Sequence, residues 1–112
     1  MGRIQSITVD SSKAETHLCY LGGINKTDKS PYNDAGHRHP YTAVYSLFLS
    51  RFRFQPVRFV EIGIAGGNSI LMWRTYFTHK DSWIFGFDRD TNFIQHMLSF
   101  GLPGVLGGEM DV

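Results

Sequence analysis

The sequence is poor in several features that would have decided its class at once. It has a single cysteine, Cys19, which excludes an intrachain disulfide framework and a cysteine-based zinc site and fits a reducing, cytoplasmic setting. It has almost no excess of charge. Eleven basic against 10 acidic residues give a formal net charge of +1, so no general attraction to nucleic acid, another polyanion or a membrane surface follows. Nowhere is there an apolar run of about 18 residues, the length of a membrane span. Met1 to Lys13 also lack the apolar stretch of a signal peptide.

Aromatic side chains and glycine are well supplied. Nine Phe, five Tyr and two Trp stand among 112 residues that are 42% hydrophobic, enough for a core in one small domain. A chain of this length hides only roughly two thirds of its unfolded surface, so it is marginal for any large fold.

Residues 1–36 are rich in Ser, Thr, Asn, Asp, Gly and Lys, with a short apolar pulse at Leu18, Tyr20 and Leu21. This composition reads as a loop or loosely held arm, with the domain proper over residues 37–112. Tyr41, Val44, Tyr45, Phe48, Leu49 and Phe52 then recur with helical spacing, which predicts an amphipathic helix with Pro40 in its first turn and Pro56 beyond its end. Val57 to Ile64 form a mostly apolar run, as expected for a strand covered on both faces. Ala65, Gly66, Gly67 and Asn68 make a turn into a second helix, for which Asn68 or Ser69 would serve as cap. A second strand follows at Trp83 to Phe87, ended by Asp88, Arg89 and Asp90. Asp90 or Thr91 can cap a helix carrying Phe93, Ile94, Met97 and Leu98, with Gly101 at its end. Val105 and Leu106 open a third strand. The order is a helix followed by βαβαβ, the pattern of a doubly wound parallel sheet in an α/β fold.

The most informative stretch is Glu61-Ile62-Gly63-Ile64-Ala65-Gly66-Gly67-Asn68-Ser69, a buried strand running into a glycine-rich turn and a helix. Such a turn lets backbone approach a ligand and aims helix N–H groups at it. The dinucleotide pattern G-x-G-x-x-G, read from Gly63, would need glycine where Ala65 and Asn68 stand. Small residues at a strand-to-helix corner also have a purely steric explanation. Adjacent parallel strands bring Glu61 and Asp88 to one carboxyl edge of the sheet, where Asp88 could accept two hydrogen bonds from a ribose diol. Asp88 could equally be a capping or solvated turn acid, and Asp90 could take the ribose role.

These residues resemble a known family. Glu61 to Gly67 is similar to the first motif, E/D-x-G-x-G-x-G, of class I S-adenosylmethionine-dependent methyltransferases, with Ala65 in place of the middle glycine. Phe85-Gly86-Phe87-Asp88 is similar to the family's second-strand motif. Thr27-Asp28-Lys29, His39-Pro40-Tyr41-Thr42 with Tyr45, Pro56-Val57-Arg58 and Met72 to Phe77 resemble a subgroup that includes macrolide sugar O-methyltransferases. The resemblance covers about residues 24–90 and implies a Rossmann-like, three-layer αβα fold. It also implies that Glu61 and the turn of Gly63, Ala65, Gly66 and Gly67 hold the methionine moiety of S-adenosylmethionine, and that Asp88 holds its ribose. Glu109, or else Asp111, would contact the adenine amino group. A sulfonium with a zwitterionic tail and no phosphate suits such an acidic setting better than a pyrophosphate does.

Other constellations have plainer readings. His37, His39 and Asp34 read as solvated loop residues rather than metal ligands, and no metal residue is assigned. Arg51, Arg53 and Arg58, interleaved with Phe52, Phe54 and Phe59, read as solvated arginines beside core aromatics rather than a nucleic-acid surface. Trp73 and Tyr76 read as packing residues, and Cys19 as no nucleophile.

A complete methyltransferase sheet has about seven strands and needs on the order of 170 residues. Residues 57–112 have room for three, which leaves a truncated, donor-binding half with no assignable general base. The expected function is methyl transfer from S-adenosylmethionine to a hydroxyl of a small molecule or sugar. The alternatives are an NAD(P)-type oxidoreductase fragment and a non-catalytic dimeric α/β module. An unpaired outer edge on the first strand and an exposed apolar helix face predict self-association, with neither nucleic acid nor membrane as partner.

Overall fold

The computed structural model describes residues 16–33 and 41–111. The element order is α1 (His17–Ile24), α2 (Thr42–Leu49), a single 3-10 turn (Ser50–Phe52), β1 (Arg58–Ile62), α3 (Asn68–Tyr76), β2 (Trp83–Asp88), α4 (Thr91–Ser99) and β3 (Val105–Glu109). The three strands form one parallel sheet in the order β1-β2-β3, with Val60 opposite Phe85 and Phe85 opposite Leu106. This is the Rossmann-like α/β arrangement expected from the strand and helix pattern.

With the strands in this order, right-handed crossovers put α3 and α4 on the same face of the sheet. On that face Phe59 of β1 meets Trp73 at 4.5 Å and Phe77 at 5.2 Å between ring centroids. Met97 of α4 lies over Gly86 and Gly107, where an added Cβ would come within 2.6 Å of its side chain. The bare backbone of two adjacent strands thus makes the trough that the methionine fills. Trp73 and Tyr76 are packing residues, 2% and 1% exposed.

The opposite face is open, which corrects two expectations. Val60 and Ile62 are 52% and 55% exposed, so β1 is covered on one face rather than both. Among the described residues the three-layer sandwich is represented by one helical layer and the sheet.

Residues 1–36 are not all loop or arm. His17–Ile24 is helical, with Leu18, Cys19 and Leu21 in the core. Thr16 caps it, its side chain accepting from the Cys19 amide at 3.2 Å. The helix contains Gly22 and Gly23, which sequence propensity counts against it. Their reason is close approach: a Cβ on Gly22 would lie 2.7 Å from Ser30 Cβ, and one on Gly23 would lie 2.8 Å from Tyr32 Cβ. The loop over residues 27–32 is therefore laid directly onto α1.

Three smaller expectations also change. The amphipathic helix ends at Leu49, and Val44 and Phe48 are 39% and 64% exposed. The cap of α3 is Gly67 in the left-handed region, with no side-chain cap from Asn68 or Ser69. Phe54 is exposed rather than core, whereas Arg53 is not simply solvated, because its Nε donates to the Tyr76 carbonyl at 3.1 Å. The cap of α4 is as expected, Asp90 accepting from the Asn92 amide at 2.9 Å.

Candidate functional site

Where β1 runs into α3 the backbone takes three left-handed steps, with φ +81° at Gly63, +45° at Ala65 and +83° at Gly67. Glycine adopts such angles freely, whereas an L-residue does so at a cost of about 1–2 kcal/mol. Ala65 therefore departs from the glycine pattern through its backbone, not only through the small room that its methyl group takes.

Asp88, at the end of β2, holds this turn in place. Its Oδ2 accepts from the amides of Ile64 at 3.0 Å and Ala65 at 3.2 Å, and its Oδ1 from the amide of Asp90 at 3.0 Å. These backbone donors, with Asp90 the leading one, hold the carboxyl below the usual aspartate value. Asp88 is 8% exposed. The sequence offered a ribose ligand or a turn acid, and the geometry makes Asp88 the acid that shapes the turn. Two bonds occupy the lone pairs of Oδ2, so the acceptor capacity left to the carboxylate is on Oδ1.

Glu61 behaves differently, although it points to the same face of the sheet. Its two carboxylate oxygens each lie 2.8 Å from Ser69 Oγ, in the first turn of α3. Lys29 Nζ approaches at 3.8 Å. Burial pushes its pKa up, opposed by the Ser69 hydrogen bond and the Lys29 charge. The two carboxylates thus meet at one sheet edge but engage different partners.

A cavity of about 490 Å³ opens beside the turn, lined by Gly63, Ile64, Ala65, Gly66, Asn68 and Ser69 on one side and by Lys26, Thr27, Asp28, Lys29 and Asn33 on the other. Its second wall is firmly placed. The Thr27 amide donates to Gly22 O, the Tyr41 and Thr42 amides donate to Lys29 O, and Asn68 Nδ2 donates to Lys26 O. Thr27 and Asn33 are each 3% exposed. Sequence reading assigned no site role to this wall because its residues are polar and look solvated. The only signal was the Thr27-Asp28-Lys29 triplet itself.

Of the other expected site residues, Gly67 is buried against Phe100 and Met97. Glu109 is exposed at the carboxyl end of β3, in register with Asp88. Asp111 is exposed just beyond it. Neither acid lines the cavity. His37, His39 and Asp34 lie outside the described residues, and among those described no group of three or more His, Cys, Asp and Glu is placed to hold a metal ion. No described helix is long and apolar enough to cross a membrane. Cys19 is fully buried, its sulfur receiving hydrogen bonds from Thr16 and Thr42 at 2.9 and 3.0 Å, which agrees with a packing role.

The chain is similar to the 8-demethyl-8-(2-methoxy-alpha-L-rhamnosyl)-tetracenomycin-C 3'-O-methyltransferase of Streptomyces olivaceus, with 42% identity over 57 residues. That likeness agrees with the resemblance to class I S-adenosylmethionine-dependent methyltransferases carried by Glu61 to Gly67 and Phe85 to Asp88. The fold of the chain resembles that of the MycE methyltransferase from the mycinamycin biosynthetic pathway, solved in complex with Mg and SAH, at a TM-score of 0.63 and 23% identity. The sequence match covers 45% of this chain and 14% of the tetracenomycin methyltransferase. The structural match covers 88% of this chain and 26% of MycE. No family model matches the chain.

Proposed function

We propose that the chain binds S-adenosylmethionine at the carboxyl edge of its sheet, and that the activity it serves is methyl transfer to a hydroxyl of a small molecule or sugar. The observation that carries this reading is the cavity beside a glycine turn fixed by Asp88, whose lining carries charges of both signs in Lys26, Asp28 and Lys29 and which has Glu61 next to Lys29 and Ser69. That electrostatic character suits a sulfonium with a zwitterionic tail. Gly63, Ala65, Gly66 and Gly67 would give the donor a close backbone approach, and Glu61 would serve its amino-acid end. Asp88 would offer its remaining acceptor capacity to the ribose, and Glu109 or Asp111 would reach the adenine. In-line displacement at the methyl group needs mainly alignment of donor and acceptor, and a rigid donor site supplies half of that.

The same reading takes residues 37–112 as the partial donor domain, with a cytoplasmic location and a small-molecule acceptor rather than nucleic acid or membrane. It also has the chain self-associate as a homodimer, through the free edge of β1 or an exposed apolar face. Ala65 and Asn68 weigh against a dinucleotide-dependent oxidoreductase, since they replace two glycines of that pattern. Calorimetric titration with S-adenosylhomocysteine and with NAD separates the readings. Binding of the first alone is expected. Binding of NAD alone would establish the oxidoreductase, and binding of neither would leave a structural module.

A further inference from the structure

We propose that a second copy of this chain pairs with the free edge of β1, antiparallel and about a two-fold axis through Val60, so that the two sheets join into one. This rests on the proposed self-association, commits it to one interface, and is independent of donor binding.

The edge is defined by the bonds on the other side of the strand. The Trp83 amide donates to Val57 O at 2.8 Å, and the Gly63 amide donates to Phe87 O at 2.7 Å. Backbone groups alternate in direction along a strand, so residues 57, 59, 61 and 63 face β2. The amides and carbonyls of Arg58, Val60 and Ile62 then face outward, and among the described residues no strand and no hydrogen bond reaches them. The edge is also open. A cavity of about 340 Å³ runs along it from Phe59 to Ile62, beside Tyr45, Leu49 and Trp73. A second, of about 410 Å³, continues past Val57 and Arg58 to Pro56 and Phe52.

The outward groups select a copy of the same strand, because their pattern is symmetric about Val60. With the axis there, Val60 exchanges both bonds with its own counterpart, and Arg58 exchanges both with Ile62 of the second copy. Every outward amide and carbonyl is then satisfied. The neighbouring registers fail on named residues. An axis through Arg58 sets two guanidinium groups opposite one another, and one through Glu61 does the same with two carboxylates. An axis through Phe59 places Ile62 opposite Pro56, which has no amide N–H to give. One through Ile62 needs the amide of Ile64, which already donates to Asp88 at 3.0 Å.

Side-chain packing agrees with the register. On the open face it puts Val60 against Val60 and Ile62 against the aliphatic stem of Arg58, covering two residues that are 52% and 55% exposed in a single copy. On the other face Phe59 lies opposite Glu61 of the second copy. An axis perpendicular to the sheet keeps the helices of both copies on one side of it. There α2 borders the edge through Tyr45 and Leu49, and its exposed Val44, Leu47 and Phe48 flank the junction.

The test measures mass by light scattering at micromolar concentration on the whole chain, unaltered and as Val60→Pro. Proline at an outward-facing position removes an edge donor but no bond between β1 and β2. The variant should keep the circular dichroism of the unaltered protein and fall from a dimeric to a monomeric mass. A second measurement needs no proline. In this register the Cα of residue 60 lies about 5.5 Å from its counterpart, within reach of a disulfide, whereas the two residues 62 lie roughly 14 Å apart. Mild oxidation should therefore cross-link Val60→Cys at least about tenfold faster than Ile62→Cys, with Cys19 buried and out of reach. A dimeric mass retained by folded Val60→Pro, or faster cross-linking of Ile62→Cys, would overturn this interface and leave self-association standing. A monomeric mass for the unaltered protein would overturn both, and the edge would then belong to a strand of the same chain or to none.

Discussion

The two faces of the sheet are made by the same three strands, alternate residue by residue, and are both apolar, yet they have opposite fates. Phe59, Ile84 and Val105 lie under α3 and α4 in the continuous core with Trp73, Phe77, Ile94 and Met97. Their sequence neighbours Val60, Ile62, Trp83 and Leu106 are 42–55% exposed. An apolar strand states that both of its faces suit burial, whereas the position of the crossovers decides which face receives it. The covered face also carries two carboxylates, since Glu61 and Asp88 both point to it at the sheet's carboxyl edge.

The comparison breaks first if the covered face tolerates truncation. Met97 is 1% exposed and fills the trough over Gly86 and Gly107, so Met97→Ala is expected to cost about 2–5 kcal/mol in denaturant unfolding. Gly86→Ala would set a methyl group 2.6 Å from Met97 Sδ and should cost about 1–3 kcal/mol by overpacking. Together the two changes should cost less than their sum, because the smaller side chain vacates the space that the new methyl group needs. Strict additivity would show that Met97 is not the group that meets Gly86.

The pH dependence separates the two inward carboxylates. Asp88 has a folded pKa below its ordinary value of 3.8, so its contribution to stability is present above that value and lost as pH falls through the folded pKa. Glu61 has a folded pKa above its ordinary 4.5, so its contribution is greatest below that value and is lost as pH rises through the folded pKa. Asp88→Asn should therefore lower the Tm at neutral pH and flatten the acid limb of the Tm profile. Glu61→Gln should remove the decline that begins above pH 4.5. A matching response of the profile to the two substitutions would contradict their different settings.

What could be read from the sequence follows the same division. The strands, α4 with its Asp90 cap, and the glycine turn were legible because each depends on neighbours in the chain. Helix α1 was not, since Gly22 and Gly23 are there for contacts with Ser30 and Tyr32, which no local pattern displays. The second wall of the cavity was hidden for a related reason: Thr27, Ser30 and Asn33 have the composition of a solvated loop but are 0–3% exposed. Asp88 was legible as an acid at the end of the second strand, although its bonds to the amides of Ile64 and Ala65 depend on a register that only the paired strands establish.

Ala65 gives a smaller and opposite effect. With φ at +45°, Ala65→Gly relieves left-handed strain while loosening the unfolded chain, for a net gain of about 0.5–1 kcal/mol in stability. A loss of stability would mean that the methyl group makes contacts that outweigh the strain.

The open face should yield the smallest change in stability and the clearest change in association. Ile62 and Val60 are already 55% and 52% exposed, so replacing either with Thr removes little packing and should alter unfolding free energy by about 0.5 kcal/mol or less. If this face is where two copies meet, the same substitutions expose a polar hydroxyl at the centre of the contact. Light scattering at micromolar concentration should then shift from a dimeric toward a monomeric mass. A core-sized loss of stability without a change in mass would mean that the face is covered within a single copy, and the contrast between the two sides of the sheet would fall with it.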